Sequence, residues 1–417
     1  MVGIFMPSTR IPKILSKAGA VLLMISLFGC SSIKAPNTLF ITYGAPKKSF
    51  KKTQSRVEGF LDKYAMAFER SNPETRIVYI TYPLNEIFDQ ITKDSDLNLG
   101  PDLIIIDGFE SFEYMSRDLT ATLPDKEYFQ DIYGTRYEWA TNADGEYNFA
   151  PWIRNPQVAC YNNTKIKKPP STIQELEELS ASGYKIGLSS LPIELIWTAG
   201  ANNAFEELNA VGKQMKTDQS YPAIKEWLGW LRKAAWYQNI LFFENMESLR
   251  EHLQSNKLDW ISCYGSQIEE LKNKMGKALS VAPLPNGPES KAAPTVQTFG
   301  FALGRNSSQS QRKLALKYIK TLVNTIAQRK FELDGEEGFL SVNQNVSIPP
   351  ESSKTLNTLR TAVKQSDYYD KEWAGVIRWI IPTPNRYEQL SNAFIEFTNG
   401  YLSLNEAFKI ITNANNN

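Results

Sequence analysis

The stretch Asn148–Leu179, NFAPWIRNPQVACYNNTKIKKPPSTIQELEEL, carries the reading on which the rest of the chain depends. A residue before proline is pushed out of the helical region, so Phe149-Ala150-Pro151-Trp152 is extended. Pro156 to Tyr161 reads as a short buried strand, which Asn162-Asn163-Thr164 ends. Pro169-Pro170 makes a stiff lead-in, and Ser171 or Thr172 caps a helix carrying Glu175 and Leu176.

Upstream of this stretch, Thr38 to Tyr43 (TLFITY) is a strand. Val57 to Phe68 follows with apolar residues at a helical period, Asn72-Pro73 stops it, and Arg76 to Tyr82 (RIVYITY) is the next strand. A helix between two strands argues for a parallel sheet. Leu103 to Ile106 is a continuous apolar strand that needs cover on both faces. Open α/β sheets bind ligands beyond the carboxyl ends of their strands, which puts Tyr43, Asp107, Phe109 and Glu110 on the wall of a site. The structural alternative for Asp107 is to cap the helix that follows.

Downstream, Lys185 to Ser190 is a strand, and Leu191-Pro192-Ile193-Glu194-Leu195-Ile196-Trp197 opens a helix with Glu194 and Trp197 on one face. Ala223 to Tyr237 is amphipathic, and its Trp227 and Trp230 read as packing. Leu258 to Tyr264 is a strand turning at Tyr264-Gly265-Ser266, Thr298 to Leu303 is another, and Ser307 to Gln328 reads as one long amphipathic helix.

A chain of 417 residues exceeds the usual domain size of about 100–200, so two units are expected. Lys+Arg 46 against Asp+Glu 45 leaves a formal charge of +1, which points away from nucleic acid or an acidic membrane surface as partner. The single histidine, His252, lies in a polar helical stretch; it argues against His-rich metal sites and leaves a Ser–His–Asp triad resting on one residue. No residue pattern calls for a cofactor. Cys160 and Cys263 sit in apolar runs and read as unpaired core, with a disulfide open in an oxidising compartment.

Arg10, Lys13 and Lys17 precede a 12-residue apolar run from Ala18 to Gly29, too short to span a membrane and suited to a signal peptide. It ends in Leu27-Phe28-Gly29-Cys30, which resembles the bacterial lipobox, although Phe28 is bulkier than usual there. The resemblance implies acylation of Cys30.

The order "small-Pro-aromatic, four residues, strand, Tyr-Asn, Pro-Pro-Thr, amphipathic helix" in 148–179 resembles the middle of bacterial extracellular solute-binding proteins of the maltose-binding class. Ser280 to Gly287 (SVAPLPNG) is similar to that family's return crossing, and Phe339 to Asn343 to its third crossing, with Ser341 in place of the usual proline. The tail Ile381 to Tyr387, the helix to Gly400 and Leu404 to Phe408 match its closing pattern. Thr38 to Ile411 is covered. The resemblance implies an α/β fold of the periplasmic-binding-protein-like type II, two lobes with a cleft and several hinge crossings. It divides the chain into a lipoprotein signal peptide (1–29), a tether (30–37), one lobe from 38–150 and 286–341, and the other from 151–285 and 342–417.

The resemblance further implies a lipid-anchored monomer that faces the periplasm or cell exterior and captures a small solute for ABC importer permease subunits, without catalysis or cofactor. Trp152, Trp197, Tyr264 and Tyr387 would supply aromatic faces for a sugar, oligosaccharide or polyol. Asp107, Glu110, Glu194 and Asn155 would fix its hydroxyls, Asn155 standing at the family's sugar-bonding position. Strand alternation allows only one of Arg154 and Asn155 to face the cleft, and Asn155 is taken as the inward one. The carboxylates leave a cationic amine as a second ligand class. A thiaminase-like enzyme on this scaffold would need a cysteine at Asn155, and a structural lipoprotein would need no cleft aromatics.

Overall fold

The computed structural model describes residues 37–45, 50–142, 144–215, 220–334, 338–349, 351, 353–381 and 384–413. The expected signal peptide and Cys30 lie outside them. Strand β1 (Asn37–Ala45), helix α1 (Phe50–Ser71) and β2 (Thr75–Pro83) form the expected parallel unit, and β3 (Leu103–Asp107) lies parallel on the other side of β1. The apolar period of α1 places Leu61, Ala65 and Phe68 against this sheet. A short strand, β4 (Thr120–Ala121), pairs with β10 (Val296–Gly304), which runs antiparallel between β3 and β5 (Ala150–Asn162).

Strand β5 belongs to two cores. Ala150 to Pro156 pairs with β10, whereas Gln157 to Tyr161 pairs with β8 (Trp260–Tyr264) and its last residues with β9 (Leu279–Ala282). Beyond β8 come β6 (Ile186–Ser189) and β7 (Ile240–Phe243), parallel to one another. Along β5 the pairing partner therefore changes between Pro156 and Gln157, and on the return the pairing with β10 begins at Val296. The first lobe's core contains Trp152, Phe301 and Tyr318. The second lobe packs Trp197, Trp227, Trp260 and Phe394 on one sheet face, and Leu249, Leu359 and Val363 on the other.

Two features depart from the expectations. Cys160 and Cys263 are bonded, with Cα atoms 5.9 Å apart across β5 and β8; neighbouring antiparallel strands bring two inward residues to bonding distance, which sequence spacing alone did not reveal. The expected helix 307–328 is instead α4 (Gln309–Val323) followed by a second helix, α5 (Thr325–Asp334). Asn324 breaks it: its Nδ2 donates to Lys320 O and Thr321 O, and its Oδ1 accepts from Ala327 N at 2.9 Å. The side chain thus ends one helix and starts the next. His252 is half-buried on Phe243, with Nδ1 2.7 Å from Ser248 O, a structural position.

The third crossing is β11 (Leu340–Ser341), paired with Ile153 and Arg154 of β5. Gly338 has φ +68°, and its hydrogen stands where a Cβ would lie 1.9 Å from Gly265 O, so glycine is required where this crossing meets the turn after β8. Ser341, where the family usually has proline, donates through Oγ to Gln328 Oε1 at 2.8 Å. Among the described residues no helix is long and apolar enough to cross a membrane.

Candidate functional site

The cleft lies between the two lobes, with an empty volume of about 660 Å³ opening to solvent. One wall comes from the carboxyl end of β3 and the start of α2 (Gly108–Ser116). Asp107 is both things the sequence allowed: it lines the cleft and caps α2, its Oδ1 accepting from Phe109 N at 2.9 Å. Burial pushes its carboxyl up to about 7, against the lowering effect of that hydrogen bond. Phe109 lines the same wall, whereas Glu110 is exposed one position on. A Cβ on Gly108 would sit 2.4 Å from Trp139, so the indole lies directly on the helix start.

Behind this cavity, and not lining it, the second lobe holds a buried group: Glu194, in the first turn of helix α3 (Pro192–Leu195), Tyr264, at the end of β8, and Tyr387, in the first turn of α8 (Pro384–Thr398). These three act on one another electrostatically. Burial pushes Glu194 up to about 7, held back by the Tyr264 hydroxyl beside it. Burial and then the Glu194 carboxylate push the Tyr387 phenol up to about 12. Tyr264 is raised well above its usual range by burial and by Glu194, with Asp107 of the opposite lobe adding to it. Four of the ten expected residues therefore converge from both lobes.

Five others do not join this group. Trp152 is 2% exposed, in the first lobe's core, with ring centroids 5.3–5.5 Å from Phe60, Tyr64 and Phe301. The cause is a bulge: Ile153 pairs with Phe299 and Pro151 with Gly300, leaving Trp152 as the extra residue and shifting the strand's facing. Asn155 is buried, its Nδ2 donating to Gln297 Oε1 at 2.8 Å and its Oδ1 accepting from Ser266 N at 2.9 Å. It fastens the crossing strands, and Arg154 faces the cleft in its place, reversing the expectation. Trp197 is fully buried against Trp260, because the chain turns at Ile196 into a second short helix (Trp197–Ala201). Tyr43 lies in the first core, edge-on to Tyr79, and Glu110 points to solvent as noted.

The cleft also holds residues the sequence reading missed. Trp139 covers the first lobe's wall, tilted against Phe149. Helices α6 (Lys354–Asp367) and α7 (Asp370–Ile380) bring Asp367, Asp370 and Trp373 from the second lobe. Burial raises Asp367, while Arg154 and Arg136 of the first lobe lower it; burial and Asp367 raise Asp370, and Arg136 lowers it. Opposite charges thus face one another across the gap. The legible signals were an indole in the polar run Tyr137 to Tyr147 and the acid–aromatic run Asp367 to Trp373. Among the described residues no group of His, Cys, Asp and Glu is arranged to hold a metal ion.

The sequence profile of bacterial extracellular solute-binding proteins matches residues 63–358. Among solved structures the chain is similar to the GacH receptor of Streptomyces glaucescens, solved unliganded and with acarbose, at 14% identity and a TM-score of 0.70 over 91% of this chain and 97% of that one. It is also similar to the maltose/maltodextrin-binding domain MalE of Bdellovibrio bacteriovorus bound to maltotriose (17%, TM-score 0.65, 90% and 98%). A third is a solute-binding protein of Agrobacterium radiobacter in complex with ribitol (15%, TM-score 0.64, 90% and 97%). At these identities the likeness is one of fold, the maltose-binding-protein-like type II architecture. No curated protein matches the sequence.

Proposed function

The chain belongs to the bacterial extracellular solute-binding protein family, and from that premise we propose that it is the substrate-binding lipoprotein of an ABC importer. Its solute is a sugar, oligosaccharide or polyol, held between the lobes and passed to permease subunits. The observation that carries this reading is that Tyr264 of the second lobe feels both Asp107 of the first lobe and its own neighbours Glu194 and Tyr387, beside a cavity lined by both lobes. Carboxylates accept from sugar hydroxyls and phenol and indole rings lie on C–H-rich faces. Acarbose, maltotriose and ribitol in structural relatives are ligands of that chemistry.

Closure about β5, β10 and β11 would bring Trp139 towards Trp373 and bury the solute. The two lobes correspond to the two packed cores, with hinges at Pro156–Gln157, Thr295–Val296 and Gly338–Val342. The protein acts as a monomer, without catalysis or cofactor, tethered to the membrane through acyl chains on Cys30 and facing the periplasm or exterior. A second ligand class, a cationic amine, is favoured by Asp367 and Asp370 beside Asp107.

Thermal unfolding against sugars, polyols, amines and thiamine tests the reading. A solute at 100 times its Kd adds about 2.7 kcal/mol. A rise with sugars or polyols and no product formed supports it; a rise with amines alone moves the ligand to the cationic class. Consumption of thiamine would replace it with an enzyme.

A further inference from the structure

Helix α6 serves two concavities with two faces. Val363, Ser366 and Asp367 line the cleft, while Thr361, Lys364, Gln365 and Tyr368, one helical face at i, i+3, i+4 and i+7, line a separate pocket. The second pocket has a cavity volume of about 390 Å³, within the range of small-molecule sites. Pro169, Pro170, Pro283 and Leu284 form its rigid apolar side.

We propose that this pocket is a second ligand site, separate from the cleft, for a small hydroxylated organic anion of monosaccharide size. Its charge has one sign: Lys291 and Lys364 line it and, among the described residues, no acidic one does. Neither ammonium group has an ion-pair partner among the described residues. The cleft on the other face of α6 carries both signs, Asp107, Asp367 and Asp370 with Arg136 and Arg154, so the two sites differ in charge character.

The requirement for a hydroxyl comes from Gln365, which is 7% exposed. Its Nε2 is committed, donating to Leu284 O at 2.9 Å and to Asn286 Oδ1 at 2.8 Å. Its Oε1 is buried without a hydrogen-bond partner among the described residues, and a buried acceptor is costly unless a donor meets it. An anionic oxygen cannot serve; a hydroxyl on the same molecule can. The scaffold is fixed independently of any ligand. Asn286 Oδ1 also accepts from Ala292 N at 3.0 Å, its N–H donates to Ser171 O, and the Tyr369 hydroxyl donates to Lys291 O at 2.8 Å. Tyr368, 65% exposed, stands at the rim where its ring can cover a flat face of the ligand.

Calorimetric titration of the purified protein with glucuronate and with glucose 6-phosphate tests the site, with glucose as the neutral control. Binding of either anion, without competition by glucose, is expected; glucuronate alone marks a carboxylate site, the phosphate alone a phosphate site. The double variant Lys291→Ala/Lys364→Ala should weaken that binding about 10-fold or more. It should keep its unfolding temperature and its response to the cleft's sugar panel, since both side chains are exposed. The proposal is overturned if neither anion binds at millimolar concentration, if glucose competes equally, or if the double variant binds as wild type does. A cleft with no sugar ligand would leave these outcomes unchanged, so the two readings fail separately.

Discussion

Trp152 and Trp139 lie 13 residues apart and end in opposite roles. Trp152, on the segment whose pattern marks the lobe crossing, is surrounded by Phe60, Tyr64 and Phe301. Trp139, on a single 3-10 turn (Glu138–Ala140) in a polar stretch with no periodicity, is 36% exposed at the cleft. The difference teaches that an aromatic on a regular element is held by the packing that makes the element regular. One on an irregular segment is free to be presented to a ligand.

Substitution gives the sharpest break of this comparison. Trp152→Ala should cost about 3–5 kcal/mol of stability, read by denaturant unfolding, while the protein that remains folded binds solute as before. Trp139→Ala should cost about 1–2 kcal/mol and weaken solute binding. Equal losses in both assays for both variants would erase the distinction.

The disulfide sharpens it within the second lobe, because Cys263 immediately precedes Tyr264 on β8. Cys160→Ala/Cys263→Ala should lower stability by about 2–5 kcal/mol, towards the upper end given the 103-residue separation. Solute affinity measured below the lowered unfolding transition should be kept. Next in size, Asn155→Ala strands Gln297 and the Ser266 N–H; about 1–3 kcal/mol should be lost, with lobe closure altered more than contact with the solute.

The smallest expected effect depends on pH. Glu194 is raised to about 7 in the fold, above about 4 in the unfolded chain. The folded state then binds the extra proton between these values, so Glu194's contribution is most favourable below about pH 4, declines as pH rises and levels off above about 7. Glu194→Gln removes that decline. Its unfolding temperature should exceed that of wild type at pH 8 and approach it at pH 4. The opposite slope would mean the carboxylate is stabilised, not desolvated.

Much of the fold was legible because its signals are local. The helix period of 57–68, the Asn72-Pro73 stop and the apolar run 103–106 all became the expected elements. The cap before Glu175 is Thr172, whose Oγ1 accepts from Glu175 N at 3.1 Å. Asp107 was legible through its place at a strand end. What escaped was non-local: the bulge at Trp152 depends on β10, and the turn at Ile196 that buries Trp197 depends on Trp260. Asp367 and Trp373 reach the cleft only because α6 and α7 pack there, which their acid–aromatic run does not by itself record.

The most direct test of the account is calorimetric titration of the solute that stabilises the protein best into wild type, Asp107→Asn and Glu194→Gln. Each variant should stay folded and bind about 10- to 100-fold more weakly, the loss of a hydrogen bond to a charged group. Wild-type affinity in both variants would contradict the claim that the solute is held between Asp107 of one lobe and Glu194 of the other.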